Sequence, residues 1–178
     1  MNSTVSLVLK SYATLTVIGQ ILVVLLVLLL IVSRFSKNKS IKSLSKIISS
    51  NSIVFVLIVV ALATLGSLFF SEIAGFTPCK LCWFQRICMY PLTVISLVAV
   101  LTNDTKVKKY ILPLAIIGLG VAIYHILLQI YPNTLQCGDE LVSCAKTGTR
   151  YYGYITIPVM SATAFLLSII TLLIGDRS

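Results

Sequence analysis

Cys79-Lys80-Leu81-Cys82, with Arg86 four residues further on, are the residues of this chain best suited to chemistry. A C-x-x-C pair either exchanges disulfides or ligates a metal. Arg86 stands at the start of an apolar run. An ionisable side chain inside a bilayer costs roughly 2.5–3.5 kcal/mol on insertion scales, so by default it marks a functional site. Thiol–disulfide exchange proceeds through a thiolate, which a helix N-terminus or a nearby cation favours. Pro78 suits the first position of a helix, where its missing N–H would have no partner anyway. Cys79 and Cys82 then fall in the first turn, at the positive end of the macrodipole. Arg86 is i+4 from Cys82 and shares its face, one turn deeper. Two readings of Arg86 stand side by side. It stabilises a Cys82 thiolate and an anionic reduced cofactor, or it snorkels to lipid headgroups.

Three more cysteines and one histidine complete the inventory. Cys137-Gly138-Asp139-Glu140-Leu141-Val142-Ser143-Cys144 encloses a small acidic loop. Alone it reads as a structural disulfide; beside a membrane-embedded dithiol it reads as the second half of an electron relay. Four cysteines also raise zinc, but C-x6-C is looser than the usual C-x2–4-C ligand spacing and no second His accompanies it. Cys88 lies six residues past Cys82, about 240° around an ideal helix, and reads as a small buried thiol. His125 is the only histidine, with Gln129 at i+4. It is either a proton carrier or a satisfied residue at a helix end.

The elements that must position these residues are membrane helices. Of 178 residues, 58% are hydrophobic and 11% charged, against about 25% charged in soluble domains. Five stretches, near 13–33, 52–71, 83–102, 111–130 and 156–174, reach the roughly 20 apolar residues a spanning helix needs. The first is not a cleaved signal peptide: its apolar run is too long, no A-x-A-like site follows, and Arg34 and Lys37 do. The net charge of +9 is no sign of nucleic-acid binding, because the basic residues cluster beside the spans. Arg34, Lys37, Lys39, Lys42 and Lys46 in the 34–51 connection, and Lys106, Lys108 and Lys109 in the 103–110 connection, put those segments in the cytoplasm. The N-terminus and the 72–82 and 131–155 connections are then outside and the C-terminus inside. Both cysteine pairs face a compartment where disulfides persist. Ile41, Leu44, Ile47 and Ile48 share one helical face of 34–51, which reads as a short helix on anionic lipid or as a basic linker. The expected fold is an all-α integral membrane protein. Residues 52–178 form a four-helix transmembrane bundle, and 1–51 add an N-terminal transmembrane helix and a basic linker.

Pro78-Cys79-Lys80-Leu81-Cys82-Trp83-Phe84-Gln85-Arg86 resembles the P-C-x-L-C-x-x-x-R signature of disulfide bond formation protein B, the DsbB-like quinone-linked membrane thiol oxidases. The resemblance extends to Tyr124-His125, Gln129 and Tyr131-Pro132 ahead of the second cysteine pair, and to Tyr154-Ile155-Thr156-Ile157-Pro158-Val159-Met160-Ser161 at the start of the last span. It covers about residues 52–175. The vitamin K epoxide reductase family has a similar bundle and chemistry but puts its embedded C-x-x-C after the loop pair. Two features depart from the DsbB pattern: the extra span at 13–33, to which nothing in the sequence assigns a role, and a short second cysteine loop.

The resemblance implies a sequence of exchanges. A thioredoxin-fold thiol oxidase (DsbA-like) outside the membrane attacks a Cys137–Cys144 disulfide at Cys137. Freed Cys144 attacks Cys79 of a Cys79–Cys82 disulfide, and Cys82 passes electrons to ubiquinone or menaquinone, with Arg86 and His125 at the quinone. The competing readings are an epoxide-reductase-type oxidoreductase and a non-enzymatic membrane protein with structural disulfides or a metal site.

Overall fold

A computed structural model describes residues 3–35, 39–131 and 150–175. Among the described residues the chain is all helix, with one isolated bridge between Tyr151 and Ile155. The helices are α1 (Ser3–Phe35), α2 (Lys39–Ser50), α3 (Ser52–Leu68), α4 (Lys80–Thr102), α5 (Lys108–Ile130) and α6 (Ile157–Gly175). Five stretches are long and apolar enough to cross a membrane, and they contain the five expected spans or meet them to within a residue. A backbone in lipid must satisfy its polar groups internally, so an apolar run of this length folds as helix.

The differences lie at the ends. α1 starts ten residues before the expected span, because Ser3–Tyr12 holds one charge, Lys10, and no helix breaker. α2 is a helix, as one of the two readings of 34–51 has it. Its Ile48 packs on the cluster of Leu26, Leu167, Ile170 and Ile174, while Ile47 is exposed. α3 continues into a π-turn, Phe69–Ile73, closed by the Ala74 N–H on the Phe69 carbonyl at 2.9 Å. α4 stops at Asn103, whose left-handed φ of 54° closes the helix end. Asp104 then accepts from the Lys106 N–H at 2.8 Å and turns the chain through a 3-10 turn, Thr105–Val107, into α5.

The main core lies between α3, α4, α5 and α6. Phe165, Val56, Val60, Leu92, Ile111, Ala115 and Ala122 are fully buried there. Phe165 lies across Gly118 of α5, in space that a Cβ at 118 would occupy. Cys88 belongs to this core, as the helical offset from Cys82 predicts. Pro91 removes one backbone bond from α4. Thr93, nearby, ties α4 to α3: its hydroxyl is 2.8 Å from that of Thr64 and 3.2 Å from the Val60 carbonyl. Outside this core, α1 packs along α6 and α2.

Candidate functional site

The connection from the π-turn into α4 sets the dithiol. Cys79 is the N-cap of α4, in extended conformation (φ −74°, ψ 171°), and its carbonyl accepts from the Trp83 N–H at 3.2 Å. Pro78 therefore stands one residue before the cap, not at the first helical position expected of it. The helix cannot include it because Cys79 is extended. Cys82 is the third helical residue, among the first four N–H groups, which have no partner within a helix. The placement at the dipole's positive end survives the shift. Cys79 Sγ lies 3.3 Å from Cys82 Sγ, so the pair closes to a disulfide with only a small movement.

Arg86 is buried, 9% exposed, and it points into protein rather than toward headgroups. Its Nε donates to Ser67 Oγ and its Nη2 to the Ser67 carbonyl, both at 2.9 Å. Ser67 sits two residues ahead of the π-turn, and its carbonyl also accepts from the Ser71 hydroxyl at 3.3 Å. The Arg86 guanidinium also stacks 5.2 Å from the Trp83 ring centroid. Among the described residues it meets no carboxylate.

His125 lies on the other side of the dithiol. Its Nε2 is 3.8 Å from Cys79 Sγ, and its Nδ1 is 3.0 Å from Gln85 Nε2. The Gln85 amide is placed with its carbonyl oxygen toward the hydroxyl of Ser161 of α6, which also donates to the Pro158 carbonyl at 3.0 Å, and with its NH2 toward the ring. An NH2 group only donates, so in this placement Nδ1 accepts and the ring proton is assigned to Nε2, facing the sulfur. This tautomer follows from the hydrogen-bond network. Gln129, the i+4 neighbour of His125, is engaged elsewhere: its Oε1 accepts from Thr156 at 2.9 Å.

A cavity of about 310 Å³ opens beside the dithiol. Cys82, Gln85, Arg86 and Ser67 supply its polar corner; Phe55, Val59, Leu62, Met89 and Leu167 are among its apolar walls. His125 and Cys79 are not among its lining residues. Cys79, Cys82, Arg86 and His125 thus converge on one end of the bundle, while Cys137 and Cys144 lie outside the described residues. Two contributors carried no signal of their own in the sequence. Gln85 stood inside the motif without an evident task, and Ser67 looked like one more small residue in a membrane helix.

A multi-span bundle that holds a C-x-x-C pair between a cation and a histidine defines a membrane-embedded thiol oxidoreductase. The family model Disulfide bond formation protein DsbB matches residues 49–175, and the chain belongs to that family. Disulfide bond formation protein C of Bacillus subtilis is 46% identical over 135 residues, covering 72% of this chain and 98% of its own. A probable disulfide formation protein of Chlamydia pneumoniae is 42% identical over 120 residues, 66% of this chain and 86% of its own. The SPbeta prophage-derived disulfide bond formation protein B of Bacillus subtilis is 43% identical over 105 residues, 58% of this chain and 71% of its own. No solved structure matches the chain significantly.

Proposed function

We propose that the protein reoxidises an extracytoplasmic thioredoxin-fold thiol oxidase, DsbA-like, and delivers the electrons through two cysteine pairs to a membrane quinone. The observation that carries this reading is the shared cavity: Cys82 and Arg86 line the same largely apolar space. Its volume of about 310 Å³ is near the lower end of the roughly 300–1,000 Å³ of small-molecule sites. It suits a ring headgroup and the first part of an apolar tail. Quinone, when bound, supplies the acceptor for two electrons and two protons.

The chain's own residues do the rest. A partner thiolate attacks Cys137, breaking the Cys137–Cys144 disulfide and releasing Cys144. The Cys144 thiolate attacks Cys79, breaking the Cys79–Cys82 disulfide and leaving the negative charge on Cys82. The helix N-terminus and Arg86 favour that charge. The second partner thiol then displaces Cys137, which turns on the Cys79–Cys144 bridge and expels Cys79 as a thiolate. The Nε2 proton of His125, facing that sulfur, stabilises it. Each exchange exchanges one S–S bond for another. The partner leaves with one disulfide more and two hydrogens fewer.

A metal site is the second reading with an observation behind it. Ligand atoms of Cys79, Cys82 and His125 lie within 4.8 Å of one another. That supplies three ligands among the described residues, and a structural zinc site takes four. Stoichiometric zinc retained by the purified protein through dialysis would favour it.

The test is quinone-dependent oxidation of a reduced thioredoxin-fold oxidase by the purified protein. Arg86→Ala should raise the apparent KM for quinone about tenfold and slow turnover, with Arg86→Lys intermediate because a point charge replaces a planar fork. Single-turnover reduction of Cys137–Cys144 without added quinone should be unchanged. Wild-type quinone kinetics in Arg86→Ala would remove the cavity from the mechanism.

A further inference from the structure

The family match begins at residue 49, so all of α1 lies outside it. The helix is nevertheless part of the site. Tyr12, Leu15, Thr16, Gly19 and Leu22 of α1 line the same cavity as Cys82 and Arg86. Tyr12, Thr16 and Gly19 recur at i, i+4 and i+7, which places them along one helical face.

Two contacts set how α1 stands. Against α6 it comes close: a Cβ at Gly19 would lie 3.1 Å from Thr163 Cγ2 and 3.3 Å from a Leu167 methyl, tighter than ordinary contact. Toward α3 it is braced by one long side chain. The Tyr12 ring fills the notch at Gly66, where a Cβ would lie 2.5 Å from it, and the Tyr12 hydroxyl donates to the Leu62 carbonyl at 3.1 Å. Tyr12 also meets Phe70 edge to face, centroids 5.4 Å apart. Below this brace Thr16 and Gly19 are small, and both line the cavity. The Thr16 hydroxyl bonds back to the Tyr12 carbonyl at 2.8 Å, so its proton is already engaged within α1.

We propose that α1 is a wall of the quinone site, with Thr16 and Gly19 as the surface against which a prenylated quinone lies, its ring toward Arg86 and the start of its tail along α1. The proposal rests on the function proposed above. Under it, α1, which lies outside the family match, helps set which quinones fit.

The experiment measures quinone binding directly, by quenching of Trp83, the single tryptophan of the chain, with short-chain benzoquinone and naphthoquinone analogues. Thr16→Phe places a ring in the cavity and should weaken binding by about tenfold or more, since an overfilled site relaxes only partly. The quinone KM should rise to match, with single-turnover exchange at Cys137–Cys144 unaltered. Val24→Phe, on an exposed part of α1 outside the lining, should bind as wild type. In the unaltered protein, an azido analogue of either quinone should cross-link to the α1 peptide that contains Thr16. Wild-type affinity in Thr16→Phe, or cross-linking confined to α3, α4 and α6, overturns the wall while leaving quinone reduction standing. If the unaltered protein binds neither analogue, the proposed function falls first and the wall with it.

Discussion

Gln85 joins the two halves of the site. One face of its amide orients His125 beside Cys79, and the residue also lines the cavity that holds Cys82 and Arg86. Gln85→Leu keeps the bulk, removes the amide and leaves the His125 Nδ1 without that donor. The ring can then turn, and the N–H facing Cys79 is no longer specified. The expected outcome is exchange between the two cysteine pairs slowed by about tenfold, less than the roughly 10²–10⁴-fold of a lost acid–base group because the imidazole itself stays. Rapid-quench trapping of the Cys79–Cys82 thiols, without quinone, separates this from an effect on the cavity; an unchanged rate would reduce Gln85 to packing. Cys144→Ser should accumulate a mixed disulfide between Cys137 and the partner, visible on a non-reducing gel. Cys88→Ser, altered in the core, should turn over as wild type. Cys79, Cys82 and Arg86 were legible because their relation is local, three and four residues along one helix. Gln85 was not, because its partners His125 and Ser161 are 40 and 76 residues away. Spacing also misdirects: Gln129, at i+4 from His125, bonds Thr156 instead.

At the scale of elements, length and apolarity located every span, and the helix ends were where the sequence said least. The π-turn at Phe69–Ile73 has no glycine or proline inside it to announce it. The contact of Ser67, two residues ahead of it, with Arg86 was equally silent. The start of α4 shifted because Pro78 tolerates a place just outside a helix as well as one just inside. Packing between helices follows shape rather than periodicity, and Gly118 shows how finely. The Phe165 ring occupies the space that a side chain at Gly118 would fill. Gly118→Val should cost about 1–3 kcal/mol, the usual penalty of overpacking. In detergent it should lower the thermal unfolding midpoint by several degrees. Phe165→Leu alone should also destabilise, yet in the Gly118→Val background it should restore part of the loss. Strictly additive losses would mean that the two residues do not compete for one space.

For the whole molecule, the helices sort the connections into two groups. The N-terminal part of α1, the approach to Cys79 and the segment around Tyr151 share one end, joined through Val5, Leu9, Phe70, Phe76 and Tyr151. α2 meets the C-terminal half of α1 and the end of α6 at the other. On our proposal, the basic residues of 34–51 and 103–110 place the second end in the cytoplasm. A membrane-impermeant thiol reagent on reduced right-side-out vesicles should therefore label Cys137 and Cys144. Protection of both until permeabilisation would invert the orientation. The bond between Arg86 and Ser67 bears on how this molecule is made. A lone guanidinium emerging from the ribosome in α4 would resist entry into lipid. Its acceptor lies 19 residues upstream, on a helix already synthesised and joined to α4 by a short connection. The two segments therefore enter the bilayer best as a hairpin, with the Thr64–Thr93 hydroxyl pair as a second latch. A translocon that releases them together inserts a charge already solvated by the nascent chain itself.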